Sequence, residues 1–326
     1  MKLPRRRFLH LAAGAAALPA LPRFAWGQSY PTRPVRLIIP FPTGGGNDLT
    51  GRAIATQLGQ QLGRQVIVDN RGAGAGGVVG IEAAANASPD GYTILLVSVA
   101  HTLNPALYKL SYDPIESFAP IASMAFNANV LVVNPDLPVK SVQELIALAR
   151  QRPGQLQYAS SGIGTFLHVG AELFKLAAGV NLLHVPFRGA GPATVDVIGG
   201  HTKLLFAPLP VLAPHIRSGK LRALGVGSRE RNPAFPDIPT ISEAGVHGYE
   251  AINWYGLAAP RRTPAPIIER LHSAVTAALS SPELQRQFSA EGAEILRMNP
   301  GEFGAFMKDE MTKWERVVKE GGIKPE

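Results

Sequence analysis

Short apolar runs alternate with amphipathic stretches along most of the chain. Residues 35–40 are aliphatic and β-branched, which predicts a buried strand, and Leu49, Ile54 and Leu58 then follow at helical spacing. The same order of strand and helix returns over residues 65–87, 156–178 and 181–198. Alternation of this kind predicts an α/β protein with parallel or mostly parallel sheets.

A glycine-rich turn joins the strand to the helix in each of these four units. The turns lie at residues 41–48, 70–77, 160–165 and 186–192. Glycine leaves the backbone amides uncovered, and a helix N-terminus behind such amides is suited to bind an anion. The polar side chains of the turns are mainly hydroxyls and amides rather than cations. Turns of this composition favour carboxylate ligands.

Two apolar strands that each end at proline, at residues 129–135 and 253–260, enclose the middle part of the chain. The pattern predicts that the chain crosses from one domain into a second and then returns. Two unrelated edge strands are the alternative. A chain of 326 residues is long enough for two α/β domains. Glycine turns that face each other across the two domains form a cleft, and hinge closure there buries a small ligand.

The first 27 residues are predicted to be an export signal. Arg5-Arg6-Arg7 is a twin-arginine pattern, a short apolar run follows, and Ala25 and Gly27 supply small side chains before a cleavage site at Gln28. The apolar run is shorter than the ~20 residues that a membrane-spanning helix needs. A Tat-type signal predicts a periplasmic protein without a stable membrane anchor; an ordinary amphipathic first helix is the alternative.

Charge and cysteine content narrow the possible function classes. The chain has 32 basic and 24 acidic residues, and removal of the signal leaves 27 against 24, a net charge of +3. A small net charge without a basic face interleaved with aromatic residues argues against a nucleic-acid partner. The absence of cysteine excludes disulfides, thiolate metal sites and a lipoprotein anchor.

Motifs for catalysis or metal binding are missing from the sequence. It contains neither G-x-S-x-G nor H-E-x-x-H, and its histidines do not fall at metal-ligand spacing. We therefore predict a protein that is not an enzyme and binds no metal or cofactor. Gly72, Gly74 and Gly77 do satisfy G-x-G-x-x-G, but the next strand ends without the acidic residue of a dinucleotide site. A Tat-exported nucleotide-dependent oxidoreductase is the alternative function.

Several motifs resemble one family of receptors. The first glycine turn reads Ile39-Pro40-Phe41-Pro42-x-Gly44-Gly45-x-x-Asp48, and a later turn reads Tyr158-Ala159-Ser160-x-Gly162-x-Gly164-Thr165-x-x-His168. Further matching segments follow in the right order at residues 70–71, 88–93, 185–189, 214–224 and 236–240. Together they resemble the extracytoplasmic receptors of the tripartite tricarboxylate transporter family, the Bug proteins, over essentially the whole mature chain.

The resemblance implies a type II-like periplasmic binding protein with two lobes, two crossover strands and an interlobe cleft. Its first lobe would comprise residues 28–129 and 253–326, and its second lobe residues 130–252. Members of the family bind carboxylated solutes and pass them to membrane permease subunits. A small carboxylate and the permease of a tripartite tricarboxylate transporter are therefore the implied partners, and a monomer is expected. Presentation of the ligand to a sensor system is a second alternative.

The resemblance also implies a set of ligand-binding positions. In the first lobe they are Phe41, Thr43, Gly44, Gly45 and Asp48, together with Ser98, Ala100 and His101 at the end of the third strand. In the second lobe they are Ser161, Gly162, Gly164, Thr165, His168, Gly189 and Ala207. Asp48 is also expected to cap the helix that it begins.

This chain departs from the family pattern near the expected cleft. The second glycine loop carries one additional residue, Lys203 stands where many relatives have an acid, and Ala207-Pro208 stands where many have Asp-Asn. An alanine cannot pair with the ammonium group of an amino acid, and an unpaired buried ammonium is costly. We therefore predict a preference for carboxylates that lack an amino group.

Overall fold

The computed structural model describes residues 30–44, 46–72, 75–290 and 292–324. The predicted signal at residues 1–27 and the candidate Gly45 lie outside the described residues. The elements, in chain order, are β1 (Val35–Ile39), α1 (Gly46–Leu62), β2 (Val66–Asn70), α2 (Val78–Ala85), β3 (Thr93–Ser98), α3 (Val99–Leu107), β4 (Phe118–Val133), α4 (Val142–Gln151), β5 (Gln157–Ser160), α5 (Phe166–Ala178), β6 (Leu183–Pro186), α6 (Ala190–Ile198), β7 (Leu204–Pro208), α7 (Leu209–Arg217), β8 (Arg222–Val226), β9 (Ile252–Pro260), α8 (Ala265–Leu279), α9 (Pro282–Ala290), β10 (Glu294–Ile295) and α10 (Pro300–Glu320).

The strands pair in the order β2-β1-β3-β9-β4-β7-β5-β6. Strands at the two ends run parallel: β1 pairs with β2 and β3, and β5 pairs with β6 and β7. In the middle, β9 runs antiparallel to β3 and β4, and β4 runs antiparallel to β7 and β8. The prediction of mostly parallel sheets is thus correct for the ends and wrong for the middle, where the strands that link the lobes run against their neighbours.

The long strand β4 connects the two lobes. Its first part pairs with β9 as far as Ala128 opposite Ile252, and its last part pairs with β7 from Asn129 opposite Pro208. The sequence predicted a strand at residues 129–135, whereas β4 begins already at Phe118 and runs to Val133 without a break. The chain returns to the first lobe beside the same point, where the Asn129 amide donates to the Ala251 carbonyl at 3.2 Å. The lobe boundaries at residues 129 and 252 stay a prediction.

A continuous apolar core joins the lobes behind the sheet. One cluster of buried side chains contains Val97 of β3, Leu131 of β4, Phe174 of α5 and Trp314 of α10. Helix α10 begins with a capping box, in which Asn299 and Glu302 each accept a hydrogen bond from the other's backbone amide. Within the described ranges, no helix is both long enough and apolar enough to cross a membrane.

Candidate ligand-binding site

A cavity of about 410 Å³ lies between the lobes, beside the ends of β3 and β5. The first lobe lines it with Phe41, Asn47, Gly76, Ser98, Val99, Ala100, Leu103, Asn104, Leu107, Tyr108 and Asn253, and the second lobe with Ser161, Ile163, Gly164, Thr165, Phe166 and Leu167. The structure therefore brings together six of the predicted positions, namely Phe41, Ser98, Ala100, Ser161, Gly164 and Thr165. A larger groove of about 770 Å³ is lined by residues 52–68 alone and does not involve the second lobe.

Three helices begin at this cavity. Helix α1 presents Asn47 from its first turn, α3 starts directly after Ser98, and α5 starts directly after Thr165. The first turn of a helix leaves backbone N–H groups without a partner in the helix, and the helix dipole adds partial positive charge there. Because α5 belongs to the second lobe and the other two helices to the first, donors from both lobes converge on one space.

Neutral side-chain groups supplement these amides. Ser98 is the N-cap residue of α3, yet its side chain makes no cap hydrogen bond. The hydroxyls of Ser98 and Ser161 have no hydrogen-bond partner among the residues that the structure describes, and the buried Oδ1 atom of Asn47 likewise has none. The two hydroxyls can therefore donate hydrogen bonds to a ligand. The Asn47 amide can donate or accept, because its rotation exchanges the positions of its oxygen and nitrogen.

Internal hydrogen bonds fix the loop that begins α5. The Gly162 amide donates to Ser160 Oγ at 3.1 Å, and the Thr165 hydroxyl donates to the Gly162 carbonyl at 2.7 Å. The Gly164 amide donates to His168 Nδ1 at 3.0 Å. Since a hydroxyl carries one hydrogen, Thr165 Oγ1 has no second hydrogen to give to a ligand in this arrangement. Thr165 borders the cavity with its hydroxyl engaged inside the loop, and its role as a ligand donor stays a prediction.

His168 supports this loop from behind the cavity wall. Its ring is buried and stacks on the His184 ring, with centroids 3.8 Å apart and planes at 9°. Burial, followed by the charges of His184 and Lys175, lowers the pKa of His168 to about 3. The neutral ring can therefore accept the Gly164 amide at Nδ1. His168 does not line the cavity, although the sequence predicted it as a ligand contact.

A buried polar network continues behind His168. His184 Nε2 lies 2.6 Å from Ser160 Oγ, at the start of the same loop. Glu172 accepts a hydrogen bond from the Tyr158 hydroxyl at 2.5 Å and from Lys175 Nζ at 2.8 Å. The carboxylate is thereby paired, as a buried charge must be. The network holds the loop before α5 in place, and its charged groups do not line the cavity.

Asp48 plays the corresponding part in the first lobe. This buried carboxylate accepts hydrogen bonds at 2.9 Å from the Gly44 amide, from Asn70 Nδ2 and from Arg52 Nε. Burial alone raises the pKa of Asp48, but the hydrogen bonds from Arg52, Gly44 and Asn70 outweigh it, and the net pKa is lowered. Asp48 and Gly44 thus shape the first turn, and neither lines the cavity; nor does the exposed Thr43.

The comparison with known proteins decides the family. The family model described as tripartite tricarboxylate transporter family receptor (TctC) matches residues 50–323. The chain belongs to this family. Protein BugT of Bordetella pertussis is 38% identical over 300 residues, which cover 91% of this chain and 92% of that protein. The resemblance inferred from the sequence motifs is confirmed.

Solved structures confirm the two-lobed binding-protein fold of the receptor. An R. palustris protein with adipate matches with a TM-score of 0.77 and 36% identity over 91% of this chain and 100% of its own. MatC from Rhodopseudomonas palustris with bound malate matches with a TM-score of 0.74 and 31% identity over 89% of this chain and 100% of its own.

Four further predicted positions lie outside the cavity of the receptor. His101 is buried, with Nε2 2.6 Å from the Pro114 carbonyl oxygen, and burial lowers its pKa to about 4. Ala207 is fully buried in β7 opposite Val130. Gly162 lies inside the α5 loop, and Gly189 precedes α6 with a φ of 117°, which favours glycine. None of these four residues lines the cavity, and their role as ligand contacts stays a prediction.

Close packing explains Gly72 and Gly77 of the G-x-G-x-x-G pattern, and Gly74 lies outside the described residues. A Cβ atom on Gly72 would lie 2.4 Å from the Pro42 nitrogen, and one on Gly77 would lie 2.4 Å from the Pro40 carbonyl oxygen. Asn104 Nδ2 also donates to the Gly76 carbonyl at 2.9 Å, which fixes this loop against α3. Gly72 and Gly77 are therefore accounted for without a nucleotide. Within the described residues, no group of three or more His, Asp or Glu could hold a metal ion.

Helix α3, which forms much of the cavity wall, is not among the elements predicted from the sequence. Ser98, Ala100 and His101 were expected at a strand end with no helix there, whereas α3 begins at Val99. Val99, Leu103 and Leu107 recur every four residues, a spacing that places them on one helical face. That periodicity was the available signal for the apolar part of the cavity.

Proposed function

We propose that this protein is a periplasmic receptor that captures a carboxylated small molecule between its lobes and delivers it to the permease of a tripartite tricarboxylate transporter. The observation that carries the proposal is the convergence of three helix N-termini, from both lobes, on one cavity. Family membership supports it, as do the adipate and malate bound by two related structures.

A carboxylate matches the groups that the cavity offers. Helix N-termini stabilise a nearby negative charge, and the hydroxyls of Ser98 and Ser161 can donate hydrogen bonds to its oxygens. Phe41, Ala100, Gly164 and Thr165 complete the proposed ligand contacts, and Asn47 joins them on structural grounds. Because the donors come from both lobes, a bound carboxylate ties the lobes together and favours the closed arrangement.

Ligand-induced stabilisation tests the capture step. At about a hundredfold excess over the dissociation constant, a ligand that binds only the folded protein should add about 2.7 kcal/mol of stability. Thermal unfolding with a panel of carboxylates, sugars and cations measures this. Stabilisation by sugars or cations alone would contradict the proposal.

Two serine substitutions test the assignment of the cavity. Ser98→Ala and Ser161→Ala each remove a hydroxyl that donates to a charged group, a bond worth roughly 1.5–3 kcal/mol. Calorimetry should show a dissociation constant raised by about one to two orders of magnitude. Ser273→Ala, on the exposed surface of α8, is the matched control and should bind as the native protein does. Unchanged affinity in both cavity variants would place the ligand elsewhere.

Uptake in cells tests location and delivery. We propose that the segment at residues 1–27 directs Tat export, so the folded protein should be recovered from the periplasm with its N-terminus near Gln28. Deletion of either the receptor or the permease should abolish uptake of the labelled ligand at low concentration. Uptake that persists without the permease, but not without the receptor, would indicate a different membrane partner or a sensor role.

A further inference from the structure

We infer that the ligand is a carboxylate with an apolar, uncharged body, such as a medium-chain aliphatic acid or an aromatic acid. Short hydroxy acids and amino acids should be poor ligands. The inference rests on the proposed function and adds to it the class of carboxylate, which is set by the wall of the cavity.

The described part of the wall has no acidic side chain with which a ligand ammonium group could pair. Among the described residues that line the cavity, none is Asp, Glu, Lys, Arg or His. Burial raises the pKa of the Tyr108 phenol, which is therefore neutral at pH 7. The neighbouring carboxylate of Asp48 is occupied by Gly44, Asn70 and Arg52.

A ligand ammonium group would consequently lose its hydration without gaining a carboxylate partner, which is unfavourable. The departure at Ala207 predicts the same preference, but Ala207 is buried in β7 and does not line the cavity. The preference is instead explained by the absence of charged side chains among the described residues of the wall.

Apolar side chains from both lobes form much of the wall. Val99, Leu103 and Leu107 follow one face of α3 and extend over ~12 Å, at 1.5 Å per residue. Leu107 reaches the second lobe, since a Cβ atom on Gly164 would lie 2.9 Å from its Cδ1. Ile163, Phe166 and Leu167 line the cavity from that lobe. A ligand body placed here contacts carbon atoms on both sides.

The cavity is also larger than a short polar acid requires. Its volume of about 410 Å³ equals roughly fourteen water molecules at ~30 Å³ each. Filling this space with carbon atoms releases water from apolar surface, which favours binding in proportion to the area covered. Hydroxyl groups on a ligand would instead need partners that the apolar part of the wall does not supply.

Matched acids of increasing length test the inference by calorimetry. Along acetate, butanoate and hexanoate, and along succinate, adipate and suberate, each added methylene should tighten binding by up to about fourfold until the cavity is full. Glutarate should bind more tightly than glutamate, and succinate more tightly than malate, by at least tenfold. Each pair differs only in the ammonium or hydroxyl group.

A substitution in the wall provides a second test. Leu107→Asn should weaken hexanoate at least tenfold while leaving acetate, which needs only the polar donors, within about twofold. Leu176→Asn, on the exposed side of α5, is the matched control and should change neither. The ratio of the two affinities is informative even if the variant is less stable.

The outcomes separate the two proposals. Tighter binding of glutamate or malate than of glutarate, adipate or hexanoate overturns the inference but leaves a carboxylate receptor. A flat length series, or an unchanged hexanoate-to-acetate ratio in Leu107→Asn, also overturns it. Absence of binding by every carboxylate overturns the proposed function itself, and the inference with it.

Discussion

Replacement of His168 by phenylalanine tests how the second lobe holds its ligand loop. Phenylalanine keeps an aromatic ring against His184, 3.8 Å away between centroids, but it removes the acceptor of the Gly164 amide. A buried donor without a partner costs about 1–3 kcal/mol. We therefore expect His168→Phe to lower the free energy of unfolding by that amount at pH 7 and to weaken carboxylate binding, because Gly164 borders the cavity.

The pH dependence supplies a larger and more specific signal. The pKa of His168 is about 3 in the folded protein and about 6.5 in an unfolded chain. Between these values the unfolded state binds a proton that the folded state does not. The stability that His168 contributes is therefore fully present above about pH 6.5. It is lost as the pH decreases, by about 1.4 kcal/mol per pH unit for this group. His168→Phe cannot bind that proton, so its stability should fall less steeply.

Urea unfolding at pH values from 4.5 to 7 measures the slope, with the buried Trp254 and Trp314 as fluorescent reporters. His101, whose pKa burial lowers to about 4, contributes a similar slope in both proteins and cancels in the difference. The range stays above the pH at which Asp48, with its lowered pKa, begins to bind protons.

His168→Asn is the matched control. An asparagine Oδ1 can take the position of Nδ1 and accept the Gly164 amide, but it loses the ring stack, worth about 0.5–1.5 kcal/mol. This variant should keep ligand affinity closer to the native value than His168→Phe does, while showing the same shallow pH dependence. If the free energy of unfolding of both variants depends on pH as steeply as that of the native protein, His168 is not a buried neutral group. Native stability of His168→Phe at pH 7 would mean that the Gly164 amide has another acceptor.

Three further substitutions test the loop before α5, the first glycine turn and the connecting strand β4. Thr165→Val should lower stability by about 0.5–1.5 kcal/mol, through loss of the bond to Gly162, with affinity nearly unchanged; a large loss of affinity in calorimetry would make the hydroxyl a ligand donor. Asp48→Asn should lower stability in urea by about 1–3 kcal/mol, since three donors lose a charged acceptor; native stability would contradict the role given to this carboxylate. Asn129→Leu should be neutral or stabilising, because the side chain is fully buried and neither of its polar atoms has a partner among the described residues; a loss above about 1.5 kcal/mol would indicate a buried water.

The sequence was informative wherever one local pattern determined the local structure. Alternating strands and helices predicted the α/β class, and the predicted span of α5, residues 166–178, agrees with the structure. The glycine turns at Phe41 and at Ser161–Thr165 do border one cavity. The shared reason is that a buried strand, a glycine turn and a helix cap each depend on residues close together in the chain.

The features that could not be predicted from the sequence depend on contacts between residues that are far apart in the chain. Whether His168 faces a ligand or the Gly164 amide depends on where His184 stacks, and His184 lies on another strand. The sequence alone could not show that Ala207 is buried. Its burial follows from the pairing of β7 with β4, which places Ala207 opposite Val130. Helix α3 was missed because the strand before it ends without a glycine turn, so the usual boundary signal was absent.

The placement of charge suggests how the receptor combines capture with release. Asp48, Glu172 and their cationic partners lie behind the cavity wall, where they fix the loops of the two lobes, and the described wall itself is uncharged. A ligand that is held only by backbone amides and hydroxyls forms no buried salt bridge with the protein. Breaking such a bridge would leave an unpaired charge on the protein. Neutral donors regain water when the lobes open, so opening exposes no unpaired ion. Under the proposed function, charges that fix the loops from behind the wall would thus allow capture in the closed state without making ligand release costly.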